Sequence, residues 1–226
     1  MIESNIKSVI EKVSNACSRS SRDVATVRLV VVTKTIGAES VREALAFGIT
    51  DIGESRIQEA EPKLKSLEQS LVNVKKHLIG HLQRNKAKKA VEIFDLIQSL
   101  DSVRLAEEIN KQAEKSGKIQ DCLIEIKVSD EETKLGLNPQ KVIEILSKIE
   151  NLKNIRILGL MTMAPFFDDA QQTRPYFKKA KILFDEICSL NKYPEFTILS
   201  MGMSNDFEVA IEEGSNMVRV GTAIFK

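Results

Sequence analysis

Residues 28–34 read Arg28-Leu29-Val30-Val31-Val32-Thr33-Lys34, an unbroken, largely β-branched run that ends on a cation. A strand without polar alternation is one buried on both faces, as in a parallel sheet covered by helices. Upstream, Ile2, Ile6, Val9, Ile10 and Val13 recur at helical spacing, so an amphipathic helix over 2–17 opens the chain. Downstream, a helical stretch from Ser40 to Phe47 meets its stop signal at Gly48.

The same unit then repeats. Strands are expected at 50–53, 77–80, 94–98, 121–128, 155–160, 196–200 and 216–220. Helical stretches separate them at about 55–70, 84–92, 101–116, 139–150, 170–190 and 205–213. With the first run this makes eight strands, nearly all joined by helices, which is the arithmetic of an α/β (β/α)8 TIM-type barrel with an extra N-terminal helix. A doubly wound open sheet is the competitor, but it usually carries about five to seven strands. No Pro/Gly/Ser linker or shift in composition divides the chain, so residues 1–226 are expected to form a single domain.

Charge narrows the partners. The 33 basic and 32 acidic residues nearly cancel, and no basic tail or aromatic-basic interleaving is present. No nucleic acid partner is therefore expected, and a small molecule becomes the default. Cys17, Cys122 and Cys188 are odd in number and far apart, which argues for free thiols rather than a disulfide framework or a zinc site. The start, Met1-Ile2-Glu3-Ser4-Asn5-Ile6-Lys7, has no apolar leader, and no apolar run reaches membrane length. A cytoplasmic protein without a membrane partner is the expectation.

Polar and glycine residues collect just after the expected strands: Lys34, Gly53-Glu54-Ser55-Arg56, Gly80-His81-Leu82-Gln83, Ser99, Ser129, Met161-Thr162-Met163-Ala164-Pro165, Ser200-Met201-Gly202-Met203-Ser204 and Gly221-Thr222. In a barrel these positions surround one mouth, where active sites of this fold lie. Lys34 reads in two ways: a strand-end ammonium reaching water, or a desolvated rim amine, nucleophilic toward a carbonyl. Ser200 to Asn205 runs from strand into helix and suits an anion, with Gly202 letting the backbone approach and Ser200 and Ser204 offering hydroxyls. Gly221-Thr222 adds a second donor-rich turn in the same corner. Arg219, flanked by Val218 and Val220, points to lumen or rim and needs a partner, either a ligand acceptor or Glu54. His77 and His81 bracket strand 3 and read as core or rim hydrogen-bonders, with no metal site.

Taken together, these blocks resemble the YggS/PROSC family of pyridoxal 5′-phosphate (PLP) homeostasis proteins. The resemblance is carried by Val31-Val32-Thr33-Lys34-Thr35, by Gly53 to Glu59, by His77 to Lys86, by Gly159 to Met163, by Leu199-Ser200-Met201-Gly202-Met203-Ser204 and by Val218 to Phe225. It implies a barrel like the N-terminal domain of alanine racemase and PLP held as a Schiff base on Lys34. Around the cofactor it implies Ser55, Ser200, Met201, Ser204, Arg219, Gly221 and Thr222. Ser200, Gly221 and Thr222 would help hold the phosphate, and Arg219 would face the pyridine nitrogen. Ser55 stands where the family usually has the longer Asn.

The resemblance further implies no established catalysis, a monomer, and PLP-dependent apoenzymes as recipients. The alternative is a racemase-like PLP enzyme, which needs a second acid/base opposite the lysine. The only tyrosines, Tyr176 and Tyr193, fall in or beside the helix before strand 7, away from the expected mouth. A third reading, a Schiff-base aldolase without PLP, keeps the lysine but not the family blocks.

Overall fold

The computed structural model describes residues 1–129 and 136–226. Eight parallel strands close into one barrel in chain order. They are β1 (Arg28–Val32), β2 (Asp51–Glu54), β3 (Lys75–Leu78), β4 (Leu96–Leu100), β5 (Gln120–Ile126), β6 (Ile155–Thr162), β7 (Ile198–Ser200) and β8 (Met217–Val220). The ring shuts where β1 pairs with β8, Val30 opposite Arg219 and Val31 opposite Val220. The helices are α1 (Ile2–Arg19), α2 (Ala38–Ala46), α3 (Ile57–Ser66), α4 (Ala87–Ile93), α5 (Val103–Lys115), α6 (Val142–Ile149), α7 (Arg174–Ser189), α8 (Phe207–Glu212) and α9 (Thr222–Phe225). The expected (β/α)8 barrel with its extra N-terminal helix is the fold that forms.

Two apolar regions hold it together. The larger lies between strands and helices, where outward-facing residues such as Val31, Ile52, Ile97, Ile124 and Val218 meet buried helix faces. The smaller fills the barrel itself with Val30, Leu96, Leu123, Met161 and Met217. Strand alternation explains the split, since neighbours along a strand face opposite sides. It also means that the next inward position toward the carboxyl end on three of these strands is Gln98, Glu125 or Arg219. The interior therefore combines an apolar cluster with polar side chains.

Helix α1 buries Ile6, Val9, Val13, Ala16 and Cys17 against the shell. Its neighbourhood is pinned by directional bonds: Arg22 donates to the carbonyls of Ile211 and Ser215 at the end of α8, and Asn5 donates to Ile224 in α9. The extra helix thus braces the β7–β8 corner from outside. Strand β3 starts and ends two residues earlier than expected from its apolar residues, because the lysines at its amino end pair with β2 while remaining solvated. Helix α9, four residues long, was not expected at all.

Candidate functional site at the barrel mouth

Lys34 is exposed in the turn after β1. Among the described residues nothing accepts a hydrogen bond from its ammonium. Its neighbour Thr35 has φ 63°, the left-handed region that a β-branched residue rarely enters. Such a conformation costs on the order of 1–3 kcal/mol and persists only where the surroundings over-determine it. They do so here. The Ile36 amide donates to the Thr33 carbonyl at 3.0 Å. Lys63 of α3 donates to that same carbonyl at 2.6 Å and to Glu54 Oε1 at 2.8 Å. The Thr33 hydroxyl donates to Glu54 Oε1 at 2.6 Å. Glu54 is buried, and its second oxygen has no partner among the described residues. The turn carrying Lys34 is therefore clamped from below by a buried ion pair. Lys63 was missed in the sequence because a lysine on a surface helix gives no sign that it turns inward.

The neighbouring strand β8 is followed by Gly221, the N-cap of α9, and Thr222, its first residue. The amides of Gly221 and Ala223 both point at Ser204 Oγ, at 3.2 and 3.3 Å. Two convergent N–H groups on one oxygen form an anion-receptive concavity. The Gly221 backbone passes so close to β1 that a Cβ would stand 3.0 Å from the Val32 carbonyl oxygen. Thr222 is exposed. Gly202 has φ +93° and faces α8, where a Cβ would meet Ala210 Cβ at 2.5 Å. Its role is close packing of loop on helix, not the approach to an anion that its place in the sequence suggested. Asp206 Oδ1 closes the loop by accepting from the Met203 amide at 2.6 Å.

Beneath the mouth, Arg219 is buried and inward-facing. It donates to Ser200 Oγ at 2.7 Å and to the Thr162 carbonyl at 2.9 Å. Burial pulls the guanidinium down to about 10, while Asp206 and Glu125 oppose the fall, so it stays cationic at neutral pH. Of the two partners anticipated for Arg219, Glu54 is not one, since that carboxylate is taken by Lys63 and Thr33. Glu125, also buried, is pushed up to about 7 by burial and by Asp101, with Arg219 opposing. It is the inward acid in the otherwise apolar run Cys122 to Ile126, and that interruption was its only trace in the sequence.

The remaining expected residues take different places. The Ser200 hydroxyl, read as a phosphate donor, lies fully buried in the barrel and donates to Gln98 Oε1 at 2.7 Å while accepting from Arg219. Its only hydrogen is spent inside the barrel. Met201, expected at the cofactor, is fully buried in the shell between strands and helices. Its amide donates to Met217 and its carbonyl accepts from Ser215, so it meets the site only as packing. Ser55 is half-buried in the wall of a cleft of about 470 Å³ beside the mouth, which His81 and Lys86 also line.

His77 is a core hydrogen-bonder, and His81 Nδ1 lies 3.3 Å from Asp101 Oδ2 at the rim. Tyr176 stands in the first turn of α7, the mouth-side end, and its ring stacks on Phe167 with centroids 5.9 Å apart. It is thus nearer the mouth than the sequence suggested, but packed away from Lys34 against the outer shell. Among the described residues no group of three potential ligands could hold a metal.

The family model for the alanine racemase N-terminal domain matches residues 5–226. A pyridoxal phosphate homeostasis protein of Aquifex aeolicus is 41% identical over 221 residues, 96% of this chain and 94% of that one. This chain belongs to the pyridoxal phosphate homeostasis protein family. Another member, from Haemophilus influenzae, is 35% identical over 224 residues, 99% of this chain and 94% of its own. Among solved structures, PipY of Synechococcus elongatus PCC7942 with PLP bound superposes with a TM-score of 0.84 at 35% identity, covering 95% of this chain and 100% of PipY. The family membership and the closed barrel agree with what the sequence blocks implied.

Proposed function

We propose that this protein binds PLP as a Schiff base on Lys34 and serves as a PLP carrier and buffer without turnover of its own. The observation that supports it best is one juxtaposition on neighbouring strand ends. An exposed amine without a partner among the described residues follows β1, and a pair of convergent amides follows β8. The donor set fits the cofactor: an amine for its aldehyde, backbone N–H groups and a hydroxyl for its phosphate, and a buried cation for its ring. When bound, PLP supplies an electrophilic aldehyde and an electron-withdrawing ring.

The chain's own residues then divide the work. Lys63 and Glu54 hold the turn that presents the Lys34 amine. Gly221 and Ala223, whose amides converge on Ser204 Oγ, would with the Ser204 and Thr222 hydroxyls hold an anion in the β7–β8 corner. Arg219 would direct a positive charge toward the pyridine nitrogen. A cation there disfavours protonation of a pyridine nitrogen and so weakens the ring as an electron sink, which suits storage over catalysis.

Relatives named for PLP homeostasis support the carrier reading over a racemase. So does the placement of Tyr176, whose ring is engaged with Phe167 rather than offered opposite Lys34. Recipients would be PLP-dependent apoenzymes, met in the cytoplasm by a monomer. Exchange of the Cα proton of amino acids in heavy water tests the reading: the PLP-loaded protein is expected to show none above free PLP. Exchange at rates of roughly 1–1000 per second, ordinary for enzymes, would make it a catalyst.

A further inference from the structure

Five buried polar side chains form one hydrogen-bonded chain across the barrel interior. Arg219 donates to Ser200 Oγ at 2.7 Å, and the Ser200 hydroxyl donates to Gln98 Oε1 at 2.7 Å. Gln98 Nε2 lies 2.9 Å from His77 Nδ1, and His77 Nε2 lies 2.9 Å from Asp51 Oδ1. All five residues are at most 3% exposed. They come from β8, β7, β4, β3 and β2, so the chain runs from beneath the mouth toward the floor. The site described above uses only its first member.

The two ends set the direction. A guanidinium has only donors, and a carboxylate only acceptors. Burial works to raise the Asp51 pKa, but bonds from His77 and Thr50 outweigh it, leaving Asp51 below the ordinary carboxylate value and ionised. Serine, glutamine and histidine can each give and receive, and once the Gln98 amide is oriented by its contact with Met217 each has one consistent role. His77 carries its proton on Nε2 and leaves Nδ1 bare for the Gln98 amide. The Gln98 carbonyl takes the Ser200 proton. A Ser200 lone pair then faces Arg219. The contact with Met217 orients Gln98 because its amide nitrogen lies 3.3 Å from Met217 Sδ, an acceptor that a carbonyl would repel.

We propose that His77 and Gln98 are positioning residues for the cofactor site. Through the Ser200 hydroxyl they fix where the Arg219 guanidinium stands, and with it the charge presented to the bound pyridine ring. Packing alone does not call for such a chain, since apolar side chains occupy the same levels of the barrel, Leu96 in register with His77 and Met161 with Ser200. One Arg219 nitrogen is held by the Thr162 carbonyl at 2.9 Å, and the other depends on a serine hydroxyl that alone would rotate between settings. Anchoring that hydroxyl through glutamine and histidine to an ionised carboxylate leaves one, and bonds in such a chain polarise one another in the same sense. This role rests on the PLP reading; the assigned tautomer does not.

The test therefore has two arms. In the first, nitrogen-15 NMR of the protein without PLP reads the tautomer of His77, distinguished from the other histidine by the His81→Asn variant. The Nε2–H form is expected, and Gln98→Met should change the Nδ1 shift. In the second, the visible band of the Lys34 adduct is titrated with pH. Gln98→Met and Ser200→Ala are each expected to leave the borohydride-reducible adduct on Lys34 and to weaken PLP by about three- to tenfold. Each should also move the midpoint of the band, by about half a pH unit or more.

The double variant should move the midpoint no further than either single one, because both act along one path. An Nδ1–H tautomer in the parent, unmoved midpoints, or shifts that add in the double variant would overturn the proposal. If Gln98→Met fails to fold, Ser200→Ala alone still decides the midpoint. A parent that forms no adduct defeats the PLP reading and the cofactor role with it, whatever the tautomer.

Discussion

The two ends of the barrel treat charge in opposite ways. At the floor, charges are paired: Arg156 is 41% exposed and bridges Asp121 at 2.7 Å and Glu195 at 3.0 Å, Lys76 meets Asp95 at 2.7 Å, and the buried Asp51 carboxylate accepts from Thr50 and meets His77. At the mouth, charges are buried and only partly satisfied. Among the described residues, Glu54 Oε2, Ser99 Oγ and Ser129 Oγ lack partners there, against the neutral Gln120 Oε1 alone at the floor, and Glu125 is buried without a salt bridge. The floor holds cavities of about 530 and 450 Å³, comparable with the cleft of about 470 Å³ beside the mouth, yet their walls offer no exposed amine beside an amide cradle. Cavity size does not mark the site; unsatisfied buried polarity does. In barrels the carboxyl end carries function and the amino end stability.

Lys63→Met breaks that contrast most sharply. It leaves Glu54 buried and unpaired, which costs about 3–5 kcal/mol, seen as a lower denaturation midpoint. A loss under about 1 kcal/mol would mean that the Lys34 turn does not depend on the clamp. Thr222→Val is expected to weaken PLP by about 1–3 kcal/mol in a titration, with stability unchanged. Unaltered affinity would remove Thr222 from the phosphate corner.

Glu125 supplies a pH signature. Its folded pKa, about 7, lies above the ordinary 4.5. The folded state therefore holds a proton that the unfolded state releases, and stability falls as pH rises between those values. The slope from this group is at most about 1.4 kcal/mol per pH unit, and Glu125→Gln should remove it from denaturation curves. Curves that do not differ between the two proteins would place Glu125 in solvent. At the floor, Arg156→Gln should cost less than about 1 kcal/mol, as solvated ion pairs do. A larger loss would erase the difference between the two ends.

Much of this architecture was legible beforehand. Apolar runs such as Leu29 to Val32, separated by helical spacing, give the barrel, because burial on both faces leaves a mark on every residue of the strand. Lys34, Arg219 and the Gly221-Thr222 turn were legible because a polar residue at the end of an apolar strand interrupts a pattern. Lys63 and Gln98 were not, since one looks like any helix-surface lysine and the other like a strand-end amide. What assigns them is which way the side chain turns and what it meets, and that depends on strands distant in sequence. Ser200 and Met201 show the same limit: adjacent residues face opposite sides, so one enters the lumen and the other the shell.

The central claim is that Lys34 carries the cofactor. The protein should be mixed with PLP, reduced with borohydride, digested and mapped by mass spectrometry. A single reduced adduct on Lys34, absent from a Lys34→Ala variant of unchanged stability, is the expected result. An adduct on another lysine, or no visible band and no adduct at all, would contradict it.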